Sequence, residues 1–274
     1  MTVRLFTFVG GQHTRQYISG MKKNIWTHDE LVLALALYFQ LPFGRLNRCT
    51  PEVKELGRLL GRGENSAAIR LTNFAACDPY ILSTGRHGMT SGRNVCMPVW
   101  EEYANDKERL FKEAAEIKAR IQQKSLEQTL DIKDSDLIGT TKEVIIRQRV
   151  NQNVFRTMIL NNYNCQCAIT GINDSRLLNA SHIIPWAERE DTRLNPENGI
   201  CLSALYDRAF DKGLITIRPD DYTIMISPSL RDTLTQNVFA EHFGKIENRQ
   251  IILPEEHLPN RSFLQYHAKN IYIR

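Results

Sequence analysis

The chain has 274 residues, of which 42% are hydrophobic and 24% are charged, as is ordinary for a globular protein. This length allows one large domain or two modest ones. No window approaches the roughly 20 apolar residues that cross a bilayer, which excludes a helical membrane protein. The first residues lack a long apolar region and a cleavage site, and the six cysteines are scattered, so we expect a reducing, cytoplasmic setting.

Positive charge is concentrated in the first half of the chain. Residues 1–125 carry 18 Lys/Arg and 12 Asp/Glu, whereas the rest carries 17 and 19, so the overall charge of +4 comes from the first half. A basic surface suits contact with a polyanion such as nucleic acid, because neutralised phosphates release counterions. A solvated basic surface without a partner is the alternative.

The N-terminal elements are predicted from caps and apolar runs. Residues 1–23 form an extension in which Met1 and Met21 are both candidate starts. Thr27 and Glu30 form a capping box before a buried helix over 31–39. Pro51 begins a second helix that ends near residue 60, and Ser66 caps a third over 67–74.

The next segments predict loops, a long helix and a linker. Asp78-Pro79 and the Gly/Ser/Thr-rich residues 83–93 predict loops, and residues 97–125 predict one long charged helix. We therefore predict a helical domain over 24–125 and a linker over 126–141.

The pattern changes to short elements in a second domain over 142–274. A helix over 142–163 leads into it. Strands are predicted over 177–184 and 199–202, a helix over 203–211, and a hairpin from 214–217 and 222–226.

One constellation in this domain carries chemistry. His182 lies on a strand, Asn198 follows 16 residues later, and a short helix then carries Asp207 and Asp211. The two carboxylates are four residues apart, so they share a helical face and can bind one hard cation such as Mg²⁺ or Mn²⁺. A neutral histidine can accept a proton from water, and a divalent cation can stabilise a scissile phosphate.

The segments SHIIPW (181–186) and NGICLSALYDRAFD (198–211) resemble the HNH endonucleases, and the resemblance covers about residues 142–274. It implies an α+β protein, in which the N-terminal helical domain is joined by the long helix and linker to a C-terminal ββα-metal nuclease domain. It further implies that the catalytic residues are His182, as general base, and Asn198, which holds the motif loop. Asp207 and Asp211 are the implied metal ligands.

Several positions depart from that family pattern. Ser181 stands where many members have an acidic residue or a histidine, and Tyr206 stands at a position that is often histidine. Asp211 could instead cap the helix or pair with Arg208 or Arg218. We expect no complete structural zinc site, because Cys165 and Cys167 are only two apart and Cys201 lacks a close partner.

The helical domain is the natural part to recognise DNA. Residues 64–103 distantly resemble sulfur-binding domains of McrA-like restriction enzymes, which recognise phosphorothioate-modified DNA. The DNA-binding candidates are Arg62, Arg70, Arg86, Arg93, Ala67 and Ala68. Non-specific DNA binding or dimerisation are the alternative roles of this domain.

The leading hypothesis is a metal-dependent DNA endonuclease that restricts foreign or modified DNA. The alternatives are an HNH-fold DNA-binding module with impaired catalysis, or an RNA-cleaving effector. Double-strand cutting by one active site usually requires two protomers, so a homodimer is expected. Trp186 is interpreted as a packing residue, and the histidines other than His182 as structural.

Overall fold

The computed structural model of the chain describes residues 25–132 and 141–274. The predicted extension over 1–23 and residues 133–140 of the predicted linker lie outside the described residues. Within the described ranges, no helix has the length and apolar character required to span a membrane.

The first described range is helical. Its helices are α1 (His28–Tyr38), α2 (Pro51–Leu59), α3 (Glu64–Ala75), α4 (Pro79–Ser83), α5 (Arg93–Tyr103), α6 (Lys107–Gln122) and α7 (Leu126–Leu130). The predicted capping box at Thr27 is confirmed, because Thr27 Oγ1 accepts the Glu30 N–H at 3.3 Å and the Glu30 carboxylate accepts the Thr27 N–H at 2.9 Å. Nearly the whole of α1 is buried, as its apolar run predicts.

Two predictions for this region are wrong in detail. Helix α3 begins three residues before the predicted start, because the Gly63 carbonyl already accepts the Ala67 N–H at 3.1 Å, so Ser66 lies inside the helix. The predicted loop after Asp78 contains α4, which begins there because the Asp78 side chain accepts the Tyr80 N–H at 2.8 Å.

The long helix predicted over 97–125 is also wrong, since it is divided between α5 and α6. The chain leaves helical geometry at Asp106, whose φ is −134° and ψ 68°. The Asp106 side chain then caps α6 by accepting the Arg109 N–H at 3.1 Å. A strong capping residue thus starts a new helix within a segment of high helical propensity.

The second described range is mixed, which confirms the predicted α+β class. Its elements are α8 (Lys142–Asn162), β1 (Leu178–His182), β2 (Gly199–Ser203), α9 (Ala204–Asp211), β3 (Ile215–Ile217), β4 (Ile224–Ile226), α10 (Pro228–Thr233), α11 (Gln236–Phe239) and α12 (Arg261–Asn270). Strands β1 and β2 pair antiparallel, and so do β3 and β4, as predicted for the hairpin.

Helices α8 and α9 both contact the β1–β2 pair and position the site. The register places His182 opposite Gly199 at the end of this pair. A Cβ atom on Gly199 would lie 2.2 Å from Ile159 Cδ1 and 2.7 Å from Phe155 Cζ. The absence of a side chain at Gly199 therefore lets α8 approach the strand beside His182.

The helical region and the C-terminal part share one hydrophobic core, in which α6 packs against α8. Polar contacts also join them. Arg45 Nη1 donates to Asn161 Oδ1 at 2.6 Å, and the buried Glu256 carboxylate accepts the Phe43 N–H at 3.1 Å and pairs with Arg86. The boundaries of the two domains remain predictions, but these contacts hold the two parts together.

Gly213→Ala should lower the free energy of unfolding by about 2 kcal/mol or more, because Gly213 adopts the left-handed region, with φ +67°. An added Cβ atom would also lie 2.0 Å from the Ile271 carbonyl oxygen. Chemical denaturation should be compared with Gly44→Ala, where a Cβ atom meets nothing within 4 Å. Equal stability of the two variants would contradict this account of the C-terminal packing.

Candidate active site

His182 lies at the end of β1 between two aromatic side chains. Its ring stacks on Phe155, with the centroids 3.6 Å apart and the planes at 13°. The Trp186 ring lies nearly perpendicular to it, at 85°, with the two centroids 5.5 Å apart. The resulting burial lowers the pKa of His182 to about 4, although the Arg193 carbonyl opposes this shift. The imidazole is therefore neutral near pH 7.

The neutral ring has a defined tautomer. Nε2 lies 3.2 Å from the backbone oxygen of Arg193, and a carbonyl oxygen can only accept a hydrogen bond. The geometry therefore assigns the proton to Nε2 and leaves Nδ1 as the acceptor nitrogen. A histidine in this form can take a proton from water through Nδ1.

Asn198 holds the loop that carries the Arg193 carbonyl. Its side chain is fully buried, and its Oδ1 accepts the Ile184 N–H at 2.8 Å. Its Nδ2 donates to the Ile184 oxygen at 3.1 Å and to the Thr192 oxygen at 3.3 Å. Asn198 does not line the cavity at His182, so it acts there as a positioning residue.

Asp207 and Asp211 lie one turn apart on α9 and line the same cavity as His182, a space of about 550 Å³. Asn179 Nδ2 donates to Asp207 Oδ2 at 2.7 Å and orients that carboxylate. Asp211 is still open to solvent, but desolvation at the cavity and the charge of Asp207 raise its pKa. The two carboxylates therefore repel each other where a cation would relieve the repulsion.

The residues present fit a hard divalent cation. Ser181 Oγ is buried without a hydrogen bond of regular geometry, yet it lies near enough to Asp211 to lower that carboxyl pKa. Among residues 25–132 and 141–274, no group of three or more His, Cys, Asp or Glu could hold a metal. Mg²⁺ commonly uses one or two carboxylates and takes its other ligands from water and substrate phosphate, which agrees with this donor set.

Trp186 lines the cavity at His182, whereas Tyr206 does not. Tyr206 is buried away from the cavity, where its hydroxyl donates to the His242 oxygen at 2.6 Å. Trp186 lines the cavity, and the Arg193 guanidinium lies 5.0 Å from its ring centroid. Trp186 therefore packs against both His182 and the residue that orients it.

Two groups that orient the side chains of this site were not predicted from the sequence: the Asn179 side chain, which binds Asp207, and the Arg193 carbonyl, which binds His182. The carbonyl acts through the backbone, so its residue type carries no signal. Asn179 gave a weak signal as a polar residue inside a predicted strand, three residues before His182.

The cysteines near the motif are free thiols. Cys167 Sγ accepts the N–H groups of Ser203 at 3.2 Å and Thr170 at 3.5 Å. Burial raises the pKa of Cys167, but these hydrogen bonds outweigh it and lower the pKa overall. Burial raises the pKa of Cys201 to about 12. Cys167 thus has a packing and hydrogen-bonding role, and the expectation of no complete zinc site stays a prediction.

The candidates in the helical region are not equally placed to contact DNA. The Arg62 side chain is only 5% exposed, donates to both Glu30 oxygens at 3.0 and 2.8 Å, and lies over Trp26. Arg86 pairs with the buried Glu256, and Ala67 is fully buried. These three side chains serve the packing of the protein.

The other three candidates reach the surface to some extent. Arg70 lies 4.9 Å from the Trp26 ring centroid, and its Nε is buried without a hydrogen-bond partner. Arg93 is exposed at the start of α5 and donates to the Ala76 oxygen at 3.1 Å. Ala68 is half-buried on α3.

The chain was compared with curated proteins and with models of protein families. No curated protein matches the chain. A family model described as HNH endonuclease matches residues 167–218. That segment includes His182, Asn198, Asp207 and Asp211, and the β1–β2 pair followed by α9 gives it a ββα arrangement. The C-terminal part of the chain therefore contains a domain of the HNH endonuclease family.

Proposed function

We propose that the protein is a metal-dependent DNA endonuclease that hydrolyses phosphodiester bonds. The proposal rests mainly on one observation: the neutral His182, whose Nδ1 is free to accept a proton, lines the same cavity as Asp207 and Asp211. A general base and a cation site supply two functions that phosphodiester hydrolysis can use, namely activation of water and stabilisation of charge on the phosphate.

The first part of the mechanism is proton transfer at His182. A water molecule would attack the phosphorus atom as the bond from phosphorus to the 3′ oxygen breaks, and the proton of that water would pass to Nδ1. The departing 3′ oxygen would take a proton from solvent. The ring then carries a positive charge, which the Arg193 carbonyl stabilises through Nε2–H. Asn198 keeps that carbonyl in place, so the base stays oriented during the reaction.

The second part concerns charge on the phosphate. Asp207 and Asp211 would hold a divalent cation, with Asn179 keeping Asp207 oriented. When bound, such a cation stabilises the negative charge of the scissile phosphate and of the departing 3′ oxygen. Arg156 lines the same cavity and adds positive charge, while its guanidinium donates to the Leu178 and Ser175 oxygens.

A restriction role for this nuclease is the finer part of the proposal. The helical region is joined to the nuclease domain and can select the DNA that is cut. Phosphorothioate DNA is the proposed modified substrate. A half-buried Ala68 offers an apolar contact for sulfur, and Arg70 and Arg93 offer charge for the neighbouring phosphates.

His182→Ala should lower the rate of plasmid cleavage with Mg²⁺ or Mn²⁺ by about 100-fold or more, because the general base is lost. The matched control is His242→Ala, an exposed histidine of the same domain, whose backbone oxygen accepts the Tyr206 hydroxyl and is kept by the substitution. Plasmids with and without phosphorothioate, and an RNA of equal length, should be compared.

Faster cleavage of the modified plasmid supports the restriction role, and equal cleavage of both plasmids removes the phosphorothioate proposal. Cleavage of RNA alone favours the effector alternative. DNA binding without cleavage under either metal favours the catalytically impaired module. Ser181 supports that alternative, because a hydroxyl is a weaker metal ligand than a carboxylate.

The cleavage rate at saturating metal should stay nearly constant from about pH 7 down to about pH 5.5, because His182 remains neutral until the pH approaches its lowered pKa of about 4. An unshifted histidine, with a pKa of 6.5, would instead lose most of its base form across this range. Single-turnover rates measure this directly. A rate that falls with a midpoint near 6.5 contradicts the burial argument.

Asp207→Asn and Asp211→Asn should each weaken Mn²⁺ binding by about tenfold or more, because each removes a charged oxygen ligand. Calorimetric titration measures this independently of activity. Asp232→Asn, at an exposed position on α10, is the matched control and should bind as the unmodified protein does. Unchanged binding in both site variants would exclude a cation at this carboxylate pair.

A further inference from the structure

A second cleft lies between the helical region and the nuclease domain. It has a volume of about 560 Å³. One wall comes from α1, α5 and the start of α6, and the other from Asn195, Pro196, Glu256 and His257. No described residue lines both this cleft and the active-site cavity, so the two spaces are separate.

Aromatic rings line the cleft on both sides. Phe39 and Trp100 have centroids 5.4 Å apart, and on another wall Tyr80 and His257 stack at 4.6 Å and 20°. Tyr80 is 37% exposed, and Trp100 is half-buried, so solvent reaches part of each side chain. Aromatic side chains that solvent can reach accept a stacked planar heterocycle, which every nucleobase provides.

Lys107 places a positive charge beside these rings. Its Nζ lies 4.7 Å from the Phe39 centroid, and among the described residues no carboxylate lies within ion-pair distance of it. It also occupies the first position of α6, where the helix dipole disfavours a cation. Burial lowers the pKa of this ammonium, and the charge of Asp78 offsets that effect only in part, so a bound anion would stabilise the ammonium further.

Two of the three carboxylates that line the cleft have partners, and the third, Glu101, is exposed to solvent. Asp78 accepts the Tyr38 hydroxyl at 2.7 Å, and Glu256 is bonded to Arg86 and the Phe43 N–H. Amide groups are also at hand, since Asn105 and Asn195 line the cleft. The lining thus combines stacking surfaces, one cation and amides that suit the polar edge of a base.

We propose that this cleft binds a nucleotide, with the base against the aromatic walls and the phosphate at Lys107. The site goes beyond the nuclease function, because its residues belong to neither the base nor the carboxylate pair. Asn195 and Pro196 lie in the loop between β1 and β2, which also carries Arg193. The cleft and the active site therefore share one loop.

The test is calorimetric titration of the full chain, without added metal, with the four deoxynucleoside 5′-monophosphates and with inorganic phosphate. At least one nucleotide should bind more tightly than phosphate. Lys107→Gln should weaken that binding by about tenfold or more, because it removes the charge and keeps the stem. Lys112→Gln, an exposed lysine on the same helix, is the matched control and should not change it.

Two further arms identify the source of the nucleotide and control for folding. A single-stranded oligonucleotide is compared with its abasic counterpart. If the oligonucleotide binds more tightly and Lys107→Gln weakens that binding, the cleft holds a base of the strand. If only free nucleotides bind, the cleft holds a free nucleotide. Lys107→Gln should melt no lower than the unmodified protein, since it removes an unfavourable charge.

Three results would overturn the proposal: no binding of either probe, phosphate binding as tightly as every nucleotide, or equal affinities for Lys107→Gln and Lys112→Gln. Plasmid cleavage is measured separately. Nucleotide binding without cleavage would contradict the nuclease proposal and support the nucleotide site. Cleavage without nucleotide binding would support the nuclease proposal and contradict the nucleotide site.

Discussion

The buried side chain of Asn198 fixes the loop between β1 and β2, and the geometry of the candidate active site depends on that loop. One amide group makes three hydrogen bonds to the backbone of Ile184 and Thr192, and it is fully inaccessible to water. Leaving any of these backbone groups unpaired would carry a desolvation cost, so the loop has little freedom to move. The Arg193 carbonyl, next to Thr192, is therefore held where His182 needs an acceptor.

The aromatic contacts of His182 add a second constraint. Stacking on Phe155 orients the ring and removes water from one of its faces. The same burial lowers the pKa of His182, so that orientation and protonation state have one physical origin. The close approach of α8 at Gly199 makes this possible, because Phe155 lies on α8 and would be displaced by a side chain there.

Local signals in the sequence account for much of the fold and part of the site. The capping box at Thr27, helix α8 and the β3–β4 hairpin each depend on residues that are close together in the sequence. The structure contains all three as predicted. The break between α5 and α6 was missed, because the helical propensity of the flanking residues masked the cap at Asp106. The motif spacing placed His182, Asp207 and Asp211, which line one cavity. The bond from His182 to Arg193 could not be predicted, because it is made by a backbone atom whose position depends on the folded loop.

The protonation state of His182 is the central claim, and nitrogen NMR of the histidine rings tests it most directly. His182→Ala assigns the resonance. We predict that at neutral pH Nε2 is protonated and Nδ1 is not, and that the ring titrates near the lowered pKa of about 4. A proton on Nδ1, or a titration near the ordinary value of 6.5, would contradict the account of how this site prepares its base.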